Sequence, residues 1–207
     1  MHTLIIGNTG TGKSTIATVL QDLFFRNGII TKPKAEVIDA VDYAEYTKDF
    51  QNNIQKVKGG ILFIDNVQKL VPSGFASDIH QLDKLFSEMD KFGTDPIVML
   101  AGLPEGFEEF LEKNPSVRNR FEYKFKLPEF TASELLQICL KRLASYNLNL
   151  NEEAEKRLKQ LFKQAFKTKD NSFGNAHFAV TVAEDMFKTY LSRVSKTGID
   201  DNIVIKE

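Results

Sequence analysis

The chain has almost no cysteine, almost no net charge and no long apolar run. Its single cysteine, Cys139, among 207 residues leaves no intrachain disulfide and is what a reducing compartment permits. Cys139 stands between Ile138 and Leu140 on a predicted helix, where a thiol serves as core filler rather than as a nucleophile. The formal net charge of −1 and pI near 6.3 give no electrostatic reason to expect nucleic acid or an anionic membrane as a partner. No apolar stretch approaches the length of a membrane span, and the N-terminus lacks a signal-peptide pattern. A soluble, cytoplasmic protein is the expectation. The hydrophobic fraction of 42% suffices to fill a packed core, in one large domain or two small ones. There is no internal repeat and no low-complexity segment.

What is present begins at residue 7. Gly7, Asn8, Thr9, Gly10, Thr11, Gly12, Lys13 and Ser14 spell a complete phosphate-binding loop of the form GxxxxGK[ST], continued by Thr15. The apolar run Leu4–Ile6 precedes it, and Ile16, Ala17, Val19, Leu20 and Leu23 follow at helical spacing. A loop between a strand and a helix is the context that separates a working motif from a chance Gly-rich turn ending in Lys-Ser. Glycines let the backbone N–H groups converge on phosphate oxygens, and the helix N-terminus adds partial positive charge. Lys13 would then reach the β- and γ-phosphates, and the Ser14 hydroxyl would join a Mg²⁺ shell. The ligand expected is a nucleoside triphosphate.

Further segments at Ala35–Ile38, Ile61–Ile64, Ile97–Ala101 and Tyr123–Leu127 read as strands. Between them lie a polar helical stretch from Asp42 to about Val57, a helix over Ala76–Phe92 and another over Glu105–Glu112. Strands alternating with helices, and apolar throughout, indicate a parallel sheet covered on both faces. From Pro128 the pattern is helical only. Thr131 and Glu134 form a capping-box sequence, a second helix runs from near Asn151 to about Lys167, and a third follows Gly174. The fold class is therefore α/β, a P-loop NTPase with a parallel sheet flanked by helices, over residues 1–127. A small all-helical domain over 128–196 follows, then a tail over 197–207 that is either disordered or carries a short strand at Ile203–Ile205.

Asp65 closes the run Ile61–Ile64 and is a candidate Mg²⁺ ligand beside Ser14; a strand that ends at a turn-favouring Asp has the same appearance. The next residue is Asn66. An amide cannot take a proton from water, and a positioned general base contributes about 10²–10⁴-fold to such reactions; the alternative is that another carboxylate, or Asn66 as a polarising group, does the work.

Three segments carry a resemblance. Gly59–Leu70 (G-G-I-L-F-I-D-N-V-Q-K-L), Ala101–Phe121 (A-G-L-P-E-G-F-E-E-F-L-E-K-N-P-S-V-R-N-R-F) and Asn171–Phe178 (N-S-F-G-N-A-H-F) resemble successive motifs of AAA+ ATPases. The branch is the one containing the Rubisco activase CbbX and the sporulation protein SpoVK. The resemblance runs from the P-loop to about Val194. It implies an α/β domain followed by an AAA+ lid, with ATP and Mg²⁺ held between neighbouring subunits of a ring, commonly a hexamer, that remodels a client protein. Lys13 and Ser14 match the Walker A residues, Asp65 matches the Walker B aspartate, and Arg118 and Arg120 fall where the family keeps its arginine finger. Read without the resemblance, the two arginines are surface salt-bridge formers, to Glu122 for instance.

The departures from the pattern are Asn66, where the family usually has Glu, and His177, where it usually has a lid arginine that touches the γ-phosphate. His177 reads equally as a polar residue at a helix start. The pore-loop region is shorter, with Tyr43 and Tyr46 as substitutes or as packing aromatics. The chain also starts almost at the first strand, without the segment that helps enclose adenine in relatives. It reads as a piece of a longer chain, one module of a tandem protein, or a shortened family member. Two functions follow: an ATPase that remodels a partner from within a ring, or a degenerate subunit that binds ATP and turns it over slowly. The degenerate reading predicts that Asn66→Glu raises steady-state ATP hydrolysis by about tenfold or more. No increase in an assembled ring would show that Asn66 is not the limiting defect.

Overall fold

The computed structural model describes residues 1–42, 47–70, 86–87, 89–90, 96–113, 115–170 and 173–197. Tyr43, Tyr46, most of the helix expected over Ala76–Phe92, and the expected strand Ile203–Ile205 lie outside the described residues. Contacts divide the chain into two compact units. One comprises Met1–Asn8 and Gly12–Pro128, the other Thr9–Thr11 and Glu129–Glu207.

The first unit is built on five strands: β1 (His2–Ile6), β2 (Glu36–Asp39), β3 (Ile61–Asp65), β4 (Ile97–Gly102) and β5 (Phe121–Lys126). They form one sheet in the order β2-β3-β4-β1-β5, and every pairing is parallel. The period of two along a strand sends alternate residues to opposite faces, and two separate cores result. Leu4, Ile6, Leu62, Ile64, Val98 and Leu100 pack on one face with Ile54, Phe107 and Phe110. Ile5, Ile61, Phe63, Met99 and Ala101 pack on the other with Ala17 and Phe24. Ala17 and Phe24 belong to α1 (Lys13–Arg26), and Ile54 belongs to α2 (Phe50–Val57).

The strands burial favours most are the central ones. The edge strands depart from the expectation of uniform burial: β5 buries only Phe121, and Val37 of β2 is exposed. An edge strand has a neighbour on one side only, so fewer of its side chains are covered. The helix expected from Asp42 starts later. Short 3₁₀ turns occupy Ala40–Asp42 and Thr47–Asp49, and α2 begins at Phe50. The helix α3 (Pro104–Lys113) is interrupted at its start by Glu105 and Gly106, whose backbone is not helical. A further short helix, α4 (Pro115–Arg120), was not anticipated from periodicity. Its opening proline has the φ that a first helical position needs.

The second unit holds α5 (Ala132–Ser145), α6 (Glu152–Lys167) and α7 (Ala176–Thr197). The capping box at α5 is formed: the Thr131 N–H donates to Glu134 Oε2 at 2.7 Å and the Glu134 N–H donates to Thr131 Oγ1 at 3.3 Å. Asn151 caps α6 by accepting the Ala154 N–H at 2.8 Å. Leu135, Leu136, Cys139, Leu143, Leu158, Phe162, Ala179 and Ala183 make the core of this unit. Burial pushes the Cys139 thiol up to about 11, so it stays protonated and packs as an apolar group.

Leu100 has no exposed surface. Truncation to alanine there leaves a cavity in the central strand and lowers unfolding free energy by about 2–5 kcal/mol. The exposed Tyr123 on the edge strand costs within about 0.5 kcal/mol when truncated to alanine. Chemical denaturation of the two variants checks the contrast.

Candidate functional site

In a parallel sheet all strands end at one edge, and that edge is where ligands of open α/β folds bind. Here it collects the loop after β1, Asp39 at the end of β2, Asp65 at the end of β3, and Gly102 at the end of β4. The Gly7 N–H donates to the Gly102 carbonyl at 3.1 Å, fixing the first residue of the loop to the neighbouring strand.

The loop turns through two left-handed glycines, Gly10 at φ 71° and Gly12 at φ 96°. Gly12 is the N-cap of α1 and supplies no side chain to cap it, and the first turn carries no acidic residue. Backbone N–H groups at this helix start are thus left for an anion. The Lys13 Nζ donates to the carbonyls of Gly7 at 2.8 Å and Asn8 at 3.0 Å, lying back across the loop it closes. Burial pulls the Lys13 ammonium below its ordinary range, and the Asp65 carboxylate partly restores it, which puts the two charges within electrostatic reach. Ser14 and Thr15 are exposed in the first turn of α1.

Asn66 is held tightly. Its backbone lies at φ 58°, and its N–H donates to Asp65 Oδ1 at 2.8 Å. Its side-chain Nδ2 donates to Asp39 Oδ2 at 2.6 Å. Asp39 is the in-register partner of Asp65 across the β2–β3 pair. Its Oδ1 also accepts the Val41 N–H at 3.0 Å and lies 3.6 Å from Lys69 Nζ. Burial opposes its ionisation, but these hydrogen bonds from Val41 and Asn66 and the Lys69 charge hold its carboxyl below the usual carboxylate range. Sequence reasoning passed over Asp39, although V-I-D repeats the apolar-pair-then-Asp ending of F-I-D.

The two candidate fingers differ. Arg120 makes a two-pronged ion pair with Asp90, at 2.6 and 3.3 Å, and lies 4.9 Å over the Phe86 ring. Its partner is Asp90 and not the Glu122 that the sequence suggested. Arg118 is exposed and makes no hydrogen bond or ion pair among the described residues.

Within the second unit, Thr9–Thr11 packs against the start of α7. The Ala176 N–H donates to the Gly10 carbonyl at 3.1 Å. Asn175, fully buried, donates through Nδ2 to the Thr9 carbonyl at 3.0 Å. Its Oδ1 is buried with no partner among the described residues. Asn175 is the second residue that sequence reasoning missed; the quoted N-S-F-G-N-A-H-F segment contained it without marking it. His177 is exposed on the first turn of α7, and its backbone N–H donates to the Gly174 carbonyl at 2.9 Å.

A Cβ on Gly10 would stand 2.0 Å from the Gly174 carbonyl oxygen, whereas one on Gly12 would meet nothing closer than 3.9 Å. Gly12→Ala therefore incurs only the left-handed backbone penalty of about 1–2 kcal/mol. Gly10→Ala adds a backbone clash to that penalty and loses more stability. Thermal melts of the two variants check the order, which an equal loss would contradict.

The profile of the ATPase family associated with various cellular activities (AAA) matches residues 3–129. The profile of the AAA lid domain matches residues 131–206. The chain is 30% identical over 203 residues to stage V sporulation protein K of Bacillus subtilis, covering 94% of this chain and 62% of that protein. It is 30% identical over 166 residues to protein CbbX of Cereibacter sphaeroides, covering 77% of this chain and 54% of that protein. It thus spans between 54% and 62% of the length of these two curated relatives. Among solved structures, the Thermotoga maritima RuvB Holliday junction branch migration motor superposes with a TM-score of 0.63 at 16% identity, covering 97% of this chain and 63% of that one. A likeness at that identity concerns the fold. The strand order, the loop after β1 and the two profile matches agree: the chain belongs to the AAA ATPase family, with an α/β ATPase domain followed along the sequence by an AAA lid domain.

Proposed function

We propose that the chain binds ATP with Mg²⁺ and hydrolyses it within a ring of homologous subunits, using the reaction to remodel a client protein. The observation that carries this reading is the loop itself. Gly10 and Gly12 are in the left-handed region, the start of α1 is uncapped, and Lys13 spans the loop within electrostatic reach of Asp65. Family membership favours the ATPase over the degenerate alternative.

The donor set suits Mg²⁺. Ser14 and Asp65 offer hard oxygen atoms, and Mg²⁺ in such sites takes one or two protein oxygens with the rest from phosphates and water. Among the described residues no group of three or more His, Cys, Asp or Glu side chains forms a cage, so the ion would arrive with the nucleotide. When bound, Mg²⁺ would neutralise charge on the β- and γ-phosphates. The chain's own groups do the rest. Backbone N–H groups of residues 8–15 hold the phosphate oxygens, and Lys13 moves from the loop carbonyls onto the β- and γ-phosphates.

For the arginine finger, the geometry favours Arg118 over Arg120. A finger must reach into a neighbouring subunit, and Arg120 is already committed to Asp90 and Phe86. His177 is a candidate lid contact to phosphate, weaker than the arginine it replaces because imidazole is shorter and carries no fixed charge. Among the described residues no helix is long and apolar enough to cross a membrane, and a cytoplasmic location fits this reading.

Two measurements test the reading. Lys13→Ala abolishes ATP binding by the full chain and, with it, phosphate release; binding that survives this change contradicts the phosphate role of the loop. Arg118→Ala lowers turnover of the assembled form by about 10³-fold or more and leaves the nucleotide affinity of the monomer unchanged. Arg120→Ala instead lowers the melting temperature. An equal loss of monomer affinity in Arg118→Ala would make that residue structural.

A further inference from the structure

The reading above leaves one gap: the position after Asp65 holds an amide where the reaction needs a group that takes a proton from water. The structure fills it from the adjacent strand. Asp39 and Asp65 are paired in register at the ends of β2 and β3, and the Asp39 carboxylate lies 2.6 Å from the Asn66 side chain. Two hydrogen-bond acceptors would repel at that distance, so the amide must face Asp39 with its Nδ2. That orientation leaves Asn66 Oδ1 as an acceptor not used by Asp39. The Asp39 side chain is 32% exposed, which lets water reach it.

We propose that Asp39 is the carboxylate that orients and deprotonates the attacking water, and that Asn66 is the amide that holds Asp39 in place and helps position that water. Residues 39 and 66 together supply one carboxylate and one amide, with the acid on β2 instead of after β3. In the step assigned to them, the water oxygen forms a bond to the γ-phosphorus and the bond from that phosphorus to the β,γ-bridging oxygen breaks. The bridging oxygen leaves with the electron pair on the nucleoside diphosphate. The water proton passes to the Asp39 carboxylate and then to released phosphate or solvent. Lys69, 3.6 Å from Asp39 Oδ1, and the Val41 N–H fix the other carboxylate oxygen.

The inference rests on the hydrolytic reading, and the experiment separates the two. The full chain is assayed under assembling conditions for ATP turnover, for affinity towards a fluorescent ATP analogue, and for melting temperature. Asp39→Asn preserves shape and removes the charge; turnover falls by about 100-fold or more while affinity and melting temperature hold. The exchange variant, Asp39→Asn with Asn66→Asp, returns the carboxylate to the pair and recovers most of the turnover. A purely structural Asp39 would show neither the selective loss nor the recovery. Asn66→Glu alone sets two carboxylates against each other and does not raise turnover. Full turnover in Asp39→Asn, or a tenfold rise in Asn66→Glu, overturns the inference and leaves the ATPase reading standing. Absence of Lys13-dependent turnover in the unsubstituted chain overturns both. Should Asp39→Asn not fold, the exchange variant decides: turnover there supports the assignment, and nucleotide binding without turnover contradicts it.

Discussion

Parallel pairing is the constraint from which the rest of this structure follows. Because every strand of the sheet runs the same way, every strand ends at the same edge, and the residues that close the strands become neighbours there. Gly7, Asp39, Asp65 and Gly102 come from segments far apart in the chain and are brought together by that rule. The two cores enforce it. The central strands send buried side chains to both faces, where they fill two different cores, and a one-residue slip would move every side chain to the opposite face. In the register observed, Asp39 is set opposite Asp65.

This register changes what the sequence after β3 means. Judged alone, Asn66 reads as the loss of a catalytic acid. Judged beside Asp39, it is an amide hydrogen-bonded to a carboxylate at the end of the adjacent strand, so this edge of the sheet still carries a carboxylate next to residue 66. Arg118 and Arg120 carry a similar lesson. They are two residues apart, chemically alike and both exposed, yet Arg120 is bound to Asp90 while Arg118 makes no hydrogen bond or ion pair among the described residues.

Much of this was legible in the sequence because it is local. The phosphate loop is eight consecutive residues, its flanking strand and helix are contiguous, and the capping box at Thr131 is decided within one helical turn. The central strands are apolar runs that need no partner to be recognised. What escaped depends on distant pairings. Asp39 meets Asn66 across 27 residues and Arg120 meets Asp90 across 30, separations that no periodicity reports. The exposure of β2 and β5 follows from their place at the sheet edges, which strand order decides and composition does not. Asn175 went unmarked because its burial depends on packing against Thr9, far back in the chain.

The central claim is that this chain performs the chemical step itself, with its carboxylate on β2. The most direct measurement is a single-turnover quench. The assembled chain, in excess over radiolabelled ATP with Mg²⁺, is sampled over time in water enriched in ¹⁸O. The account predicts that bound ATP converts to ADP and phosphate, with one solvent oxygen entering the phosphate. ATP recovered intact from the assembled chain, although tightly bound, would contradict it.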